Sequence, residues 1–315
     1  MCKLSVIVPT YNAGNNIKKC IESILNQNIQ NVEILVINDG STDNSGQIVK
    51  EYVKQNPKTI TYYEKENTGV ADTRNYGISI AKGKYILFID SDDYMKQGLL
   101  QEIQKYIEQD IDIIKFKLER VNEYGDILEE VDGAVFDKCD GETAFNMLCF
   151  SDVLLDSPCV YVFKRELFEL NNFKFKVNTQ HEDFGLIPLV ILKAKSVISI
   201  NIYGYCYLQT NDSITRNEDY SKTLKKFNDV LLHYDNMLEF IEKEKLKENT
   251  IKNVKIYYTN AIILKLKELK KQDLNIYIKQ LNKRKMINNI QVNNIKQLIK
   301  KLILRINIKI YLKLK

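Results

Sequence analysis

The sequence is poor in several residue types: among its 315 residues it has no tryptophan, two histidines and four prolines. The six cysteines, at positions 2, 20, 139, 149, 159 and 206, show neither CxxC spacing nor nearby paired histidines. We therefore expect no zinc site and no disulfide framework, which favours a reducing cytoplasm. No segment approaches the ~18 consecutive apolar residues of a membrane-spanning helix. The residues before the first strand-like run are too few for a signal peptide.

Apolar residues make up 44% of the chain and charged residues 28%, which is typical of a globular protein and excludes a disordered or collagen-like one. The net charge of +5 hides an uneven distribution. Residues 1–220 have a net charge of −10 and residues 221–315 a net charge of +15, and no acidic residue follows position 280. This difference predicts two parts with different roles.

Short apolar runs alternate with helical stripes over the first 118 residues. Predicted strands lie at residues 4–8, 32–37, 59–63, 85–89 and 112–117, and predicted helices at residues 17–25, 48–53, 70–81 and 99–107. Pro9 should end the first strand, and Gly77 should weaken the third helix. Strands that alternate with helices predict an α/β fold with a mostly parallel sheet flanked by helices.

Polar segments follow four of these strands, at residues 9–12, 38–43, 64–69 and 90–93. In parallel α/β sheets the ligand crevice lies outside the carboxyl ends of the strands. We therefore expect these four segments to meet at one rim of the sheet.

The rest of the chain is less regular and then lysine-rich. The elements predicted after residue 118 are a turn at 124–126, a short helix at 144–148, a helix at 181–192, a strand at 197–207 and helices from 216 onward. Pro188 should break or kink the helix that contains it. The predicted regions are residues 1–118, 119–215 and 216–315.

The segment Asp90-Ser91-Asp92-Asp93 is the sharpest local signal for chemistry. Two carboxylates two positions apart at a strand end, such as Asp90 and Asp92, can hold a divalent cation and leave room for phosphate oxygens. In isolation the same pattern fits an acidic surface turn better. Asp39 can accept a hydrogen bond from a nucleotide base, or belong to a turn that caps a helix. Arg74 can pair with acids or phosphate, or be a solvated helix residue.

Four segments of the chain carry a common pattern: VIVPTYN at residues 6–12, VINDGSTD at 36–43, NTG at 67–69 with RNYGI at 74–78, and YILFIDSDD at 85–93. In this order and spacing they resemble glycosyltransferase family 2. His181-Glu182-Asp183 resembles the later Glu-Asp motif of that family and extends the resemblance to about residue 215. The resemblance implies a GT-A-type fold: a Rossmann-like, mostly parallel sheet flanked by helices, followed here by a basic helical C-terminal region. It makes residues 1–118 the nucleotide-sugar-binding half and residues 119–215 the acceptor-binding half.

The resemblance also implies roles for individual residues in the donor site. The nucleotide-sugar-binding set that it implies is Pro9, Tyr11, Asn12, Asp39, Asn67, Arg74, Asp90 and Ser91. Within this set Tyr11 would pack on the face of the base, and Asn67 and Arg74 would support the nucleotide end. Asp92 would be the direct ligand of Mn²⁺ or Mg²⁺.

On the acceptor side the resemblance implies that Asp183 is the general base, with Glu182 and His181 beside it in the acceptor region. A carboxylate must take the proton of the acceptor hydroxyl as the new bond forms, so an inverting reaction needs no covalent intermediate. Without the resemblance, an acidic first turn favoured by the helix dipole explains Glu182 and Asp183 equally well.

The function implied by the resemblance is inverting, metal-dependent transfer of a sugar from a nucleotide sugar, with UDP the expected nucleotide, to a glycan or lipid-linked oligosaccharide in surface-polysaccharide synthesis. Since the chain has no tryptophan, it lacks the Gln-x-x-Arg-Trp motif of processive synthases, and we expect one transfer per encounter. Two features depart from the family pattern. Thr73 replaces the alanine usual before the Arg-Asn pair, and residues 207–212, directly before Ser213, contain no arginine or lysine, although Arg216 follows.

Two other functions remain open at this point. A sugar nucleotidyltransferase also has an α/β nucleotide domain and a metal, but it normally needs a glycine-rich basic loop after the first strand, where this chain reads PTYNAG. A catalytically silent sugar-binding protein is disfavoured because Asp39, Asp92 and Asp183 are all present.

The C-terminal segment is strongly basic, with ten lysines and arginines interleaved with isoleucine and leucine after residue 280. A basic amphipathic segment can adsorb to an anionic membrane surface. A solvated helical cap on the catalytic domain is the alternative. We expect no nucleic-acid partner, because no binding motif accompanies the charge. The expected location is the cytoplasm, with adsorption to the cytoplasmic face of the membrane.

Overall fold

A computed structural model describes residues 3–14, 16–28, 30–151, 153–209 and 219–290. The chain divides into two compact units, residues 1–216 and residues 217–315. The further division of the first unit at residue 118 stays a prediction.

The first unit combines a central sheet with flanking helices. Its strands are β1 (Leu4–Thr10), β2 (Val32–Asp39), β3 (Ile60–Lys65), β4 (Tyr85–Phe88), β5 (Tyr94–Met95), β6 (Ile113–Val121), β7 (Ile127–Val131), β8 (Phe136–Cys139), β9 (Tyr161–Lys164) and β10 (Val197–Leu208). Its helices are α1 (Ile17–Leu25), α2 (Ser45–Gln55), α3 (Val70–Ile80), α4 (Leu99–Ile107), α5 (Gly141–Leu148), α6 (Glu166–Leu170) and α7 (Glu182–Lys193). The predicted α/β fold class is confirmed.

The sheet has the strand order β3-β2-β1-β4-β9-β6-β10-β5, with β7 on β6 and β8 on β10. Strands β1 to β4 pair in parallel, as the alternation of strands and helices predicts. Beyond β4 the sheet is mixed, because β9 pairs antiparallel with both β4 and β6. The parallel part contains fully buried strands, as is typical when helices cover a parallel sheet.

Pro9 does not end β1, which continues to Thr10 and pairs Pro9 with Ile37 of β2. The Ile7 carbonyl accepts a hydrogen bond from the Ile89 N–H on the β4 side. Pro9 lies two residues further on and therefore faces that same side, where the pairing with β4 has already stopped at Phe88. The missing N–H of proline thus leaves no partner unsatisfied.

Helix α7 runs unbroken from Glu182 to Lys193 through Pro188, where the sequence predicts a break or kink. Proline removes the hydrogen bond to the carbonyl four residues earlier. The residues of α7 from Leu186 to Leu192 are buried, and this packing compensates for the lost hydrogen bond.

The described part of the second unit, residues 219–290, is helical, as predicted. Its helices are α8 (Tyr220–Lys243), α9 (Glu248–Lys265) and α10 (Lys271–Lys283), followed by a short 3₁₀ turn at Met286–Asn289. Arg284 makes two hydrogen bonds, of 2.8 and 2.7 Å, to the carboxylate of Asp235. Met286 and Ile287 are buried within this unit. Within the described residues no helix combines the length and the apolar character needed to cross a bilayer. The basic segment 291–315 lies outside the described residues, so its membrane role stays a prediction.

Candidate active site

The carboxyl ends of β1, β2 and β4 and the start of α3 border one cavity of about 310 Å³. The predicted site residues that line it are Pro9, Tyr11, Asn12, Asp39, Asp90, Ser91 and Asp92. Among the described residues, Asn67, Arg74, His181, Glu182 and Asp183 do not line this cavity. Three of the four polar segments expected at one rim therefore contribute to the cavity wall. The fourth, at residues 64–69, does not line the cavity but donates hydrogen bonds to Asp39.

The loops after β1 and β2 are joined by hydrogen bonds that shape the cavity wall. Asn12 has a left-handed backbone (φ 49°), and its N–H donates to Ser41 Oγ at 3.0 Å. Its side-chain Oδ1 accepts a hydrogen bond of 2.8 Å from the Thr42 N–H. The neighbouring Tyr11 remains 52% exposed, so its ring is accessible from the solvent side of the cavity.

Asp39 is the most buried carboxylate of the cavity wall, at 4% exposure. Its Oδ2 accepts a hydrogen bond of 2.8 Å from the Gly69 N–H, and its Oδ1 accepts one of 3.0 Å from the Thr68 N–H. Lys65 Nζ donates to the same Oδ1. Asp39 is therefore held by three donors, from the end of β3 and the loop that follows it.

Sequence reasoning missed Lys65, which is paired with Asp39 in the register between β2 and β3. Only the strand register could have revealed this contact. Asn67 is exposed, and its backbone lies close to Gly40: a Cβ at Gly40 would come within 2.9 Å of Asn67 N. Gly40 also has a positive φ of 69°, which a residue with a side chain adopts only with strain.

The acidic turn after β4 separates its three carboxylates into different environments. Asp92 keeps solvent contact at the cavity, and its pKa is raised first by desolvation and then by the charge of Asp90. Asp93 points inward and is only 2% exposed. Its Oδ2 accepts a hydrogen bond from the Tyr205 hydroxyl, and its Oδ1 accepts one from the Leu208 N–H. The segment is therefore not a fully solvated acidic turn.

Arg74 is buried, which overturns the alternative of a solvated helix residue. Its Nη2 donates to Asp90 Oδ1 at 2.9 Å and its Nη1 donates to Glu182 Oε1 at 2.8 Å. Desolvation would lower the pKa of Arg74, but the negative charges around it, Asp90 foremost, raise the pKa above its usual value. Arg74 thus joins the cavity to the first turn of α7.

Glu182 and Asp183 form that first turn, after His181 with its left-handed backbone (φ 56°) at the helix N-cap. Burial raises the pKa of both carboxyl groups, and the positive charge of Arg74 opposes the rise. Asp183 Oδ1 accepts a hydrogen bond of 2.8 Å from the Phe184 N–H. A carboxylate whose pKa lies above its usual value is a stronger base than an ordinary carboxylate.

The segment that leads to α7 is fixed to α3 by Asn75, which sequence reasoning had quoted only as part of a motif. The Asn75 side chain donates to the Phe175 carbonyl and accepts from the Phe175 N–H, both at 2.8 Å. The ring of Phe175 lies 5.5 Å from the guanidinium carbon of Arg74. Two consecutive residues of α3 therefore hold this region: Asn75 holds the segment before α7, and Arg74 holds the first turn of α7.

Comparison with known proteins decides the family. A sequence model described as "Glycosyl transferase family 2" matches residues 5–169, which is more than half of the chain. The chain belongs to glycosyltransferase family 2. It is therefore an enzyme of the glycosyltransferase class, and neither a sugar nucleotidyltransferase nor a silent binding protein is supported.

Three curated proteins are similar to this chain in sequence. "Glycosyltransferase GlyG" of Streptococcus pneumoniae is 32% identical over 225 residues, which cover 68% of this chain and 73% of GlyG. "Glycosyltransferase GlyA" of the same species is 34% identical over 68% of this chain, but the match spans only 32% of GlyA. "Minor teichoic acid biosynthesis protein GgaB" of Bacillus subtilis is 28% identical over 77% of this chain and 27% of its own length. The chain thus matches less than a third of the two longer relatives.

Two solved structures have a similar fold. The crystal structure of S. aureus TarS 1–349 with UDP-GlcNAc has a TM-score of 0.69 at 20% identity, covering 98% of this chain and 89% of TarS. The mannosyltransferase PcManGT from Pyrobaculum calidifontis, solved with GDP-Man and Mn²⁺, has a TM-score of 0.57 at 15% identity, covering 89% of this chain and 75% of that one. These likenesses confirm the GT-A-type fold of the family 2 chain.

The cavity of this family 2 chain has the donor chemistry of a divalent cation site. Asp92 offers a carboxylate at the cavity, and Asp90 lines the same cavity. Within the described residues no group of three or more histidine, cysteine or acidic side chains is arranged to hold a metal. Mg²⁺ is usually bound by one or two carboxylates together with substrate phosphates, so this donor set fits a cation that arrives with a nucleoside diphosphate. Ser213 and Arg216 lie outside the described residues.

Proposed function

We propose that the chain transfers a sugar from a UDP-sugar to a glycan or lipid-linked acceptor, with inversion at the anomeric carbon, in the synthesis of a surface polysaccharide. The observation that carries the proposal is the arrangement of carboxylates. Asp39 and Asp92 border one cavity, and Asp183 is linked to that cavity through Glu182, Arg74 and Asp90.

The donor end of the proposal rests on the walls of the cavity. Tyr11 presents an accessible ring on which a base can stack, and Asp39 is a fixed acceptor for the N–H of a uracil base. The TarS structure that shares this fold contains UDP-GlcNAc, which supports a uridine nucleotide here. Asp90, Asp92 and the backbone of the turn would lie beside the ribose and diphosphate.

The reaction itself needs a base and stabilisation of the leaving group. Asp183 would take the proton of the acceptor hydroxyl as that oxygen attacks the anomeric carbon from the face opposite the diphosphate. Asp92 would hold Mn²⁺ or Mg²⁺, which neutralises the charge that develops on the departing diphosphate. Direct displacement with one base gives inversion, so no nucleophilic side chain is required.

The acceptor side of the proposal rests on one relative and on the charge of the C-terminal segment. GgaB, which matches 77% of this chain, is described as a minor teichoic acid biosynthesis protein. The seven basic residues between 291 and 315, without any acidic residue, would favour an anionic membrane surface on the cytoplasmic face, where lipid-linked acceptors are available.

A panel of nucleotide sugars tests the proposal. The purified full-length protein is incubated with UDP-, GDP- and dTDP-sugars and Mn²⁺, and the released nucleoside diphosphate is measured with and without membrane extracts that supply acceptors. We expect release of UDP from one UDP-sugar, stimulated by the extract and abolished by EDTA, and a product with inverted anomeric configuration by NMR. Release from GDP-sugars alone, a product with retained configuration, or activity indifferent to EDTA would each contradict the corresponding part of the proposal.

A further inference from the structure

One buried guanidinium group contacts carboxylates from two distant parts of the chain. Arg74 Nη1 donates to Glu182 Oε1 at 2.8 Å, 108 residues along the chain, and Nη2 donates to Asp90 Oδ1 at 2.9 Å. The side chains of Arg74 and Glu182 are only 6% and 12% exposed. The other oxygen of Asp90 is 3.4 Å from the Cys159 thiol. Arg74 is therefore held from both sides. Its contact with Glu182 is largely shielded from solvent, whereas the side chain of Asp90 is 38% exposed on the cavity side.

Negative charges outnumber positive charges around Arg74. The ionisable groups that act on Asp183 are Arg74 from α3, Asp90 from the turn after β4, and Glu182 on its own helix, with His181 preceding it at the N-cap. Burial works against the ionised form of Asp183, and Arg74 is the largest influence that favours it. Two adjacent buried carboxylates both ionise readily only where a positive charge compensates them.

We propose that Arg74 is a positioning residue: by pairing with Glu182 it keeps the neighbouring Asp183 ionised and ready to take the acceptor's proton, and by pairing with Asp90 it ties this base to the donor cavity. The proposal rests on the function proposed above, in which Asp183 is the general base. In this proposal Arg74 connects the donor cavity to the base that acts on the acceptor, whereas the family resemblance implies that Arg74 supports the nucleotide.

The shape of arginine is part of the argument. Its planar group carries several N–H donors in a fixed fork, so it contacts Asp90 and Glu182 at once, whereas lysine is a point charge that would pair well with only one of them. Arg74→Lys therefore keeps the charge and loses one contact. Arg74→Met removes the charge and keeps much of the length and volume of the side chain.

The pH dependence of kcat separates this role from a structural one. In the UDP-release assay with saturating donor and Mn²⁺, the low-pH limb of the kcat profile should move to higher pH by about one unit or more in Arg74→Met. Arg74 lowers the pKa of Asp183, and loss of a nearby opposite charge typically raises a carboxyl pKa by about 1–3 units. Arg74→Lys should lower kcat with a much smaller movement of the limb. The double variant Arg74→Met/Glu182→Gln should bring the limb back towards that of the wild type, since the repelling neighbour is then neutral.

Glu182→Gln alone keeps the test valid if Arg74→Met does not fold. Its amide oxygen can still accept from Arg74, while the charge of Arg74 then acts on Asp183 without competition, so the limb should move to lower pH. Arg165→Met is the matched control: Arg165 pairs with Glu169 and the Gly83 carbonyl away from the cavity, and its loss should leave the limb in place.

A low-pH limb that stays in place in both Arg74→Met and Glu182→Gln, with only kcat or thermal stability reduced, would overturn the inference and leave the proposed function intact. A wild-type protein that releases no nucleoside diphosphate from any nucleotide sugar would overturn the proposed function, and this inference with it. The two failures are thus told apart by the wild-type assay.

Discussion

The Tyr205 hydroxyl group donates a 2.6 Å hydrogen bond to Asp93 Oδ2, and it also accepts one of 3.2 Å from the Asp90 N–H. The second oxygen of Asp93 accepts from the Leu208 N–H at 2.7 Å. Strand β10 therefore holds both ends of the acidic turn that presents Asp92 to the cavity. Asp93 is therefore a positioning group for this turn.

Removal of the Tyr205 hydroxyl should destabilise the protein by about 1–3 kcal/mol, because the buried Asp93 Oδ2 would be left without a donor while Oδ1 keeps the Leu208 N–H. Tyr205→Phe tests this by urea unfolding. Tyr203→Phe is the control on the same strand, where the hydroxyl bonds at 2.7 Å to the exposed Asp132, and it should cost less than about 0.5 kcal/mol. Equal losses in the two variants would contradict a special role for the buried hydrogen bond.

Asp183→Asn should lower transfer by about 10²–10⁴-fold, the usual contribution of a general base. Binding of the donor, measured by calorimetry with Mn²⁺, should be unchanged, since Asp183 does not line the donor cavity among the described residues. Glu102→Gln, which also removes an acidic group from the first turn of a helix, is the control and should be fully active. Wild-type turnover by Asp183→Asn would remove this residue from the mechanism.

Asp92→Asn should raise the Mn²⁺ concentration needed for half-maximal activity. Changes to groups outside the direct ligand set cost about 10- to 100-fold in metal affinity, and the loss of a direct ligand should cost at least as much. The control is Asp137→Asn, which neutralises an exposed carboxylate on β8. If Asp92→Asn responds to Mn²⁺ as the wild type does, another group binds the cation.

The sequence predicts the first half of the sheet well because the information there is local. The apolar residues of α1 recur at helical spacing, and β4 is a short continuous apolar run. Polar residues that follow the parallel strands meet at one cavity, because parallel strands end at the same edge of the sheet. The antiparallel entry of β9 between β4 and β6 depends on pairing between residues far apart in the chain, which no local pattern encodes. The same applies to Lys65, which reaches Asp39 only through the register of β2 and β3.

Gly77 shows how a local preference can mislead. Its low helix propensity predicts a weak point in α3, yet the residue lies where α3 crosses the sheet, and a Cβ there would come within 2.5 Å of Ile7 Cγ2 and 3.0 Å of Ile37 Cδ1. Gly77→Ala should therefore destabilise the protein by about 1–3 kcal/mol through overpacking, despite the gain in helix propensity. Ser79→Ala on the exposed side of the same helix is the control. Unfolding by denaturant measures both, and a stabilised Gly77→Ala would show that the helix can move away from the sheet.

The basic C-terminal segment gives the last prediction. Deletion of residues 291–315 removes seven lysines and arginines and no acidic residue, and it spares Met286 and Ile287, which are buried in the second unit. Since each basic residue near an anionic surface contributes about 1 kcal/mol, the truncated protein should no longer co-sediment with vesicles that contain phosphatidylglycerol. The full-length protein should bind these vesicles at low salt and leave them as salt is added, and neither form should bind pure phosphatidylcholine. UDP release without membranes should be the same for both forms. Equal co-sedimentation of the two would show that the segment does not bind the membrane, and a loss of UDP release would favour its packing on the catalytic domain.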